Sequence, residues 1–194
     1  SGEVSGGTTT SHTIVVEALT TVLAVVPPDA SFDEYAAAVL EENVLGKATQ
    51  GARKRTFRYL RELYVLRRDS ALFRALRDLW SDDIEAQPLL VGLCATARDP
   101  LFRATAPTIL DFMVGDEVTS GDLEVAVEAK FPGNYNDGTR AKIGRNTASS
   151  WEQTEHLESH GRTPKCRRRA TCRPTNLAYA LMLGHLQGLR GEML

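Results

Sequence analysis

Apolar residues recur at helical spacing along most of this chain, and capping residues or prolines separate each such segment from the next. In ARKRTFRYLRELYVL, for example, Phe57, Leu60 and Tyr64 fall on one side of a helix. Ser31, followed three residues later by Glu34, predicts a capping box at a helix start. The apolar–polar alternation of strands is not convincing anywhere, apart from what one short hairpin needs. The pattern therefore predicts a mainly α fold, a helical bundle.

Residues 131–173 have the layout of a helix-turn-helix followed by a basic hairpin. A helical segment breaks at FPGNYND, and helical spacing resumes in GTRAKIGRNTASSWEQTEHL. The turn-rich and arginine-rich GRTPKCRRRATCRP follows. A recognition helix with basic residues beside it is typical of nucleic-acid-binding domains. We therefore expect a helix-turn-helix or winged-helix-like C-terminal part with a short β-hairpin wing.

The predicted elements divide the chain into three parts. Residues 1–11 are rich in Gly, Ser and Thr and are expected to form a flexible leader. Residues 12–118 are expected to form the helical bundle, which contains one basic helix, and residues 119–194 the winged-helix-like part. The last helix, which begins near Pro174, is apolar, and we expect it to pack back on the bundle.

Positive charge is concentrated in two segments although the formal net charge of the chain is −2. Residues 47–77 hold ten Lys or Arg against two acidic residues, and residues 139–173 hold nine against three. Since the local field decides whether a polyanion binds, this distribution favours a nucleic-acid partner. Duplex DNA is the leading interpretation. RNA binding and an assembly scaffold for acidic proteins are the alternatives.

The residues predicted to contact nucleic acid fall in three groups. They are Lys47, Arg53, Lys54, Arg55 and Arg58 at a basic helix start; Arg140, Lys142, Arg145, Asn146 and Ser149 on the predicted recognition helix; and Arg162, Lys165, Arg167, Arg168, Arg169 and Arg173 on the hairpin. The cations are expected at phosphates or guanine, and Asn146 at adenine. The alternative is a set of solvated basic faces whose long side chains cover apolar surface and pair with acidic neighbours.

Other residues could bind a metal, stack on a base or act in catalysis, but the sequence favours a structural role for them. His156, His160, Cys166 and Cys172 could supply zinc ligands, but five residues separate the cysteines, more than in known zinc modules. Trp151 is expected to anchor its helix to the domain rather than to stack on a base. The carboxylates lie in loops without a base, nucleophile or ligand pattern beside them. We therefore expect no metal, cofactor, small-molecule substrate or catalytic residue.

Cysteine usage and hydropathy indicate the compartment. Three cysteines are too few, and odd in number, for a disulfide framework. The longest apolar runs are interrupted or too short to cross a bilayer. No signal peptide is visible in the sequence. These features predict a cytoplasmic protein without a membrane segment.

Three stretches of the chain are similar to segments of one protein family. They are EENVLGKATQGARKRTFRYLRELYVL, RDPLFRATAPTIL and NTASSWEQTEHL. They resemble the BrxA-like proteins of the BREX bacteriophage-exclusion systems. The resemblance implies an all-helical protein, likened to an RNA-binding antitermination factor and encoded beside a DNA methyltransferase, an ATPase and a phosphatase-like protein. It carries over no catalytic residue. The expected function is a non-enzymatic, DNA-binding component of a phage-defence system, with other phage-defence proteins as partners.

Overall fold

Helices make up most of the protein. The computed structural model describes residues 7–161 and 164–189. In this part the fold is mainly α, with 63% of the residues helical and one small antiparallel sheet. The helices are α1 (Val16–Val25), α2 (Phe32–Leu40), α3 (Gln50–Tyr64), α4 (Ala71–Leu79), α5 (Gln87–Arg98), α6 (Pro100–Asp111), α7 (Ser120–Lys130), α8 (Asp137–Gln153) and α9 (Pro174–Leu186). The strands are β1 (Glu117–Val118), β2 (Leu157–Ser159) and β3 (Lys165–Arg167). No helix in the described part is long and apolar enough to span a membrane.

Side-chain caps begin several of the helices. The Ser31 hydroxyl accepts a hydrogen bond from the Glu34 N–H at 3.3 Å, and the Glu34 carboxylate accepts one from the Ser31 N–H at 2.7 Å. The capping box predicted for α2 is therefore confirmed. Thr119 and Asp122 form a second box at the start of α7, and Asp99 caps α6. Polar side chains thus satisfy N–H groups that a helix start leaves unpaired.

The chain folds as two compact units. Among the described residues, the helical unit comprises 15–94 and 172–189, and the sheet unit comprises 7–14, 95–161 and 164–171. The contacts thus group α6 with α7 and the sheet. The boundary predicted from the sequence, between residues 118 and 119, instead places α6 in the same part as the N-terminal helices.

Aromatic side chains form much of the core of the helical unit. Tyr35 and Phe73 are fully buried and meet edge to face at 5.5 Å between ring centroids. Helix α9 packs against α4 in this unit. The buried Tyr179 of α9 donates its hydroxyl to the Leu72 carbonyl at 3.1 Å, and Asn176 donates to the Ala86 carbonyl at 2.8 Å. These two bonds fix the last helix on the earlier ones.

In the sheet unit, α7 and α8 pack closely against each other and against α6. The order of the strands in the sheet is β1-β3-β2, and both pairings are antiparallel. Leu101, Val127 and Ile143 are fully buried where the three helices meet. Gly144 lets α8 approach α7, because a Cβ at this position would lie 2.5 Å from the Ser120 carbonyl oxygen. The absence of a side chain at residue 144 therefore sets the spacing of the two helices.

Residues 7–11 differ from the flexible leader predicted for residues 1–11. Thr8–Thr10 form a 3-10 helix, and Thr8 and Thr9 are buried. Thr9 donates its N–H and its hydroxyl to the Asp99 carboxylate at 2.9 and 2.8 Å, respectively. Asn146 of α8 donates to the Thr9 carbonyl at 2.9 Å. The prediction of a flexible leader was wrong for these residues, because Thr9 bonds to Asp99, 90 positions away, and to Asn146, 137 positions away. Residues 1–6 lie outside the described residues.

Helix α8 is shorter than the sequence pattern predicted. It ends at Gln153, whereas helical spacing continued through TEHL. Glu155 has a positive φ of 63°, which a continuing α-helix does not allow. Leu157 then enters β2 with only 1% of its surface exposed. Burial of Leu157 in the sheet therefore replaces the last predicted turn of the helix.

We expect Gly144→Ala to destabilise the protein. The added Cβ meets a backbone oxygen, which cannot rotate away, and overpacking of this kind costs about 1–3 kcal/mol. The gain of about 1 kcal/mol in helix propensity offsets only part of this cost. Gly138→Ala in the same helix is the control, since its Cβ has no contact shorter than 3.6 Å. Urea unfolding should show a lower midpoint for Gly144→Ala alone, and equal midpoints would contradict the close packing of α7 and α8.

We expect Thr9→Val and Thr10→Val to have different effects on stability. Valine has the shape of threonine but lacks the hydroxyl. At position 9 it leaves the buried Asp99 carboxylate with one donor fewer, at a cost of about 1–3 kcal/mol. The Thr10 hydroxyl is buried without a hydrogen-bond partner among the described residues, so Thr10→Val should be neutral or stabilising. Urea unfolding of the two variants measures the difference, and an equal loss in both would argue against the role of Asp99.

Candidate nucleic-acid interface

Three of the predicted side chains share the outer face of α8. Lys142 and Arg145 are exposed, and Ser149 is half-buried one turn further along. Ile143 and Gly144, on the other side of the helix, are buried against the rest of the sheet unit. Lys142 and Arg145 make no ion pair with any residue that the structure describes. This face is called the α8 face below; its two cations are available to an anionic partner.

The other two predicted residues of α8 have structural partners. Arg140 forms ion pairs with Glu128 of α7 at 2.9 Å and with Asp137 at 2.6 Å. Asn146 donates to the Thr9 carbonyl and so faces the N-terminal segment. Both side chains hold α8 against its neighbours. Neither is free to form the paired hydrogen bonds to a base that the sequence analysis considered.

The basic hairpin contains both engaged and exposed cations. Lys165 contacts the Glu152 carboxylate and the Ser159 hydroxyl, so it links the hairpin to the end of α8. Arg167 donates to the carbonyls of Ile109 at 2.8 Å and His156 at 3.1 Å. These two residues stabilise the sheet unit.

The exposed cations of this region follow β3. Arg168 lies 3.9 Å from Glu158, a distance at which an exposed pair contributes little. Arg169 is exposed and makes no ion pair with a described residue. Arg162 lies outside the described residues. Arg168 and Arg169 therefore add to the cations that the sheet unit offers to an anion.

Arg173 belongs to the helical unit and not to the hairpin. It precedes α9 and forms ion pairs with Asp83 at 2.7 Å and with Glu85 at 3.6 Å. The hydrogen bond from Arg173 lowers the pKa of the Asp83 carboxyl. The role of Arg173 in the structure is thus to attach the start of α9 to the segment before α5.

A second basic surface lies on α3 in the helical unit. Lys54 and Arg55 are exposed and make no ion pair with a described residue. Arg58 is exposed 3.7 Å from Glu62 and lies over the Tyr59 ring. Arg61, which is exposed three residues after Arg58, was not among the predicted contacts, although its helical spacing from Lys54 and Arg58 indicates the same face.

The two remaining predicted residues near α3 are half-buried. Arg53 donates to the Leu40 carbonyl at 3.2 Å, so it joins the end of α2 to the start of α3. The Lys47 N–H donates to the Asn43 side chain at 2.8 Å, which orders the connector between these helices. The side chain of Arg53 is therefore engaged within the protein, whereas the hydrogen bond at Lys47 involves its backbone and not its ammonium group.

Trp151 anchors α8 in the sheet unit, as the sequence analysis predicted. Its ring stacks on Phe102 with 4.2 Å between centroids, and its Nε1–H donates to the Thr105 hydroxyl at 2.8 Å. Only 5% of the residue is exposed. Trp151 is thus not available for stacking on a nucleic-acid base.

The residues considered for zinc do not form a ligand cluster. No group of three or more His, Cys, Asp or Glu that could hold a metal ion occurs among residues 7–161 and 164–189. His156 lies edge-on to the Trp151 ring and its Nδ1 is 2.9 Å from the Thr154 hydroxyl. Burial, together with the nearby Arg167 guanidinium, lowers the pKa of His156 to about 4. The imidazole is therefore neutral at neutral pH and belongs to the packing around Trp151.

Comparisons with protein-family models, with curated proteins and with solved structures give no match for this chain.

We expect His156 to make the protein less stable in mild acid. The pKa of histidine in an unfolded chain is about 6.5, and the pKa of His156 in the folded chain is about 4. At pH values between these two, the unfolded chain binds a proton at His156 that the folded chain excludes. Stability therefore falls as the pH decreases through this window, and His156 accounts for about 2 kcal/mol between pH 7 and pH 5. Urea unfolding at these two pH values measures the loss.

Two variants separate His156 from the other titrating groups. His156→Gln should reduce the difference between the unfolding free energies at the two pH values. His160→Gln is the control, because the His160 side chain is 66% exposed. If the two variants keep the same pH dependence as the unmodified chain, His156 is not buried in its neutral form.

Proposed function

We propose that this chain is a non-enzymatic protein that binds duplex DNA, with α8 as the recognition helix and the β2–β3 hairpin as a wing. The order of elements in the sheet unit is α6, β1, α7, α8, β2 and β3, and the strand order is β1-β3-β2. Helices α7 and α8 are followed by the β2–β3 hairpin, and β3 pairs with β1, the strand that precedes α7. This order supports a winged-helix-like arrangement. In this arrangement α8 is the element that enters the major groove.

The observation that carries the proposal is the pair of exposed cations on the α8 face. Lys142 and Arg145 lie three residues apart, and no carboxylate among the described residues pairs with either of them. Contacts of such cations with phosphates release counterions and supply most of the non-specific affinity for DNA. Arg168 and Arg169 after β3 provide further positive charge in the same unit.

The engaged side chains indicate how much base recognition to expect. Arg140 and Asn146, which have the chemistry to read guanine and adenine, are held by protein partners. Arg145 and Ser149 remain as the polar groups of the α8 face that can reach a base edge. We therefore propose that phosphate contacts dominate and that sequence preference is modest.

The basic surface of α3 is the second proposed contact. Lys54 and Arg55 lie in the first turns of α3, where the helix dipole disfavours positive charge. A phosphate beside them would compensate both the charges and the dipole. Since α3 belongs to the helical unit and α8 to the sheet unit, each surface needs its own test.

The cellular context is proposed from the resemblance to BrxA-like proteins. A DNA-binding protein without an active site would serve a BREX-type phage-defence system by bringing its partners to DNA. The acidic remainder of the chain, which carries the negative charge outside the two basic segments, is the surface we propose for those partners.

The test is a salt titration of binding to labelled duplex DNA. Replacing Lys142 and Arg145 together by alanine should weaken binding and make the slope of log affinity against log salt shallower by about two, roughly one per lost phosphate contact. The control replaces two exposed arginines outside the proposed surfaces, Arg74 and Arg98, by alanine. Fluorescence anisotropy of the three proteins at several salt concentrations measures the slopes.

The outcomes separate the three functions considered. Equal slopes for the α8 variant and the control would reject α8 as a DNA contact. Tighter binding of duplex RNA than of duplex DNA would favour the RNA-binding alternative. If the unmodified protein binds neither at low salt, the basic surfaces serve protein partners.

A further inference from the structure

The sheet unit contains a cavity of about 690 Å³ beside the α8 face. It is open between α8, β1, the start of α7 and the start of β3. The residues lining it are Glu117, Val118, Thr119, Ser120, Arg145, Ala148, Ser149, Pro164 and Lys165. Cavities of about 300–1,000 Å³ are typical of small-molecule sites. Lys142, one turn of α8 away from Arg145, does not line it.

The polar groups of the cavity divide into engaged and available ones. Lys165 contacts Glu152 and Ser159, and the Thr119 hydroxyl donates to Asp122 at 2.7 Å as part of a helix cap. The remaining polar groups have no partner among the described residues. They are the guanidinium of Arg145, the carboxylate of Glu117 and the hydroxyls of Ser120 and Ser149. The cavity therefore offers one unpaired cation and two hydroxyl groups to a ligand.

The rest of the lining limits the ligand further. Val118, Ala148 and Pro164 supply apolar walls, which a purely ionic ligand such as inorganic phosphate would leave uncovered. Glu117 adds a carboxylate that disfavours a ligand with several negative charges. One acidic group on an apolar body fits both conditions.

We propose that this cavity binds a small organic monoanion, a carboxylate carried by an apolar body. Arg145 donates two parallel hydrogen bonds to the carboxylate, the geometry that a guanidinium favours. The hydroxyls of Ser120 and Ser149 donate to the same group, and the apolar body lies against Val118, Ala148 and Pro164. The site needs no part of the DNA-binding proposal.

The cavity and the α8 face share Arg145. A carboxylate bound to this guanidinium occupies the donors that a phosphate would need, so the ligand and DNA would compete. Lys142 serves only the α8 face. The two proposals can therefore fail separately: loss of DNA binding in Lys142→Ala bears on the α8 face alone, whereas the cavity is tested without DNA.

The test is an NMR titration of the full chain with three probes. Benzoate combines a carboxylate with an apolar ring, benzamide has the same shape without the charge, and acetate has the charge without the ring. We expect benzoate to shift the amide signals of residues 118–120 and 148–149, and benzamide and acetate to bind at least about tenfold more weakly. If acetate binds as tightly as benzoate, the apolar walls contribute nothing and the proposal is overturned.

Three variants locate the binding. Arg145→Ala should weaken benzoate binding about tenfold, because it removes the charge-assisted hydrogen bonds. Ser149→Leu keeps the cation but fills the cavity, and it should abolish benzoate binding. Lys142→Ala removes an exposed cation three residues away and should leave benzoate binding unchanged. Equal effects of Arg145→Ala and Lys142→Ala would instead indicate a general attraction of anions to α8 and would refute the site.

Discussion

The position of α8 depends on the buried carboxylate of Asp99. Only 2% of this residue is exposed, and its oxygens accept hydrogen bonds from four donors: the N–H and hydroxyl of Thr9 and the N–H groups of Leu101 and Phe102. These donors and the positive end of the α6 dipole compensate the cost of burying the charge. Because Thr9 in turn accepts from Asn146, the same carboxylate connects α6 to α8 through the N-terminal segment.

The inner side of α8 determines which cations face outward. Gly144 allows the backbone of α8 to approach α7, and Trp151 fixes the end of the helix on Phe102. Once the helix is held at both places, Arg140 meets Glu128, whereas Lys142 and Arg145 point away from the packed surface. The distinction between a structural arginine and an available one is therefore set by the rotation of the helix.

The sequence predicted the helical architecture and the α2 capping box because both depend on neighbouring residues. It did not predict the order of residues 7–11, since the donors of Thr9 find their acceptor at Asp99, far along the chain. Nor does residue type distinguish Arg140 from Arg145: Arg140 pairs with Asp137 of its own helix, and with Glu128, which only the packing of α7 against α8 brings close. The strand β1, with two residues, is too short to produce an alternating pattern.

The small sheet exposes little free strand edge. Its edge strands are β1 and β2, with two and three residues, while β3 is paired on both sides. A strand that adds to a sheet edge needs a row of unpaired N–H and C=O groups, and edges this short provide few of them. The sheet unit can thus hold a basic hairpin in solvent without offering a template for strand exchange or edge-to-edge aggregation.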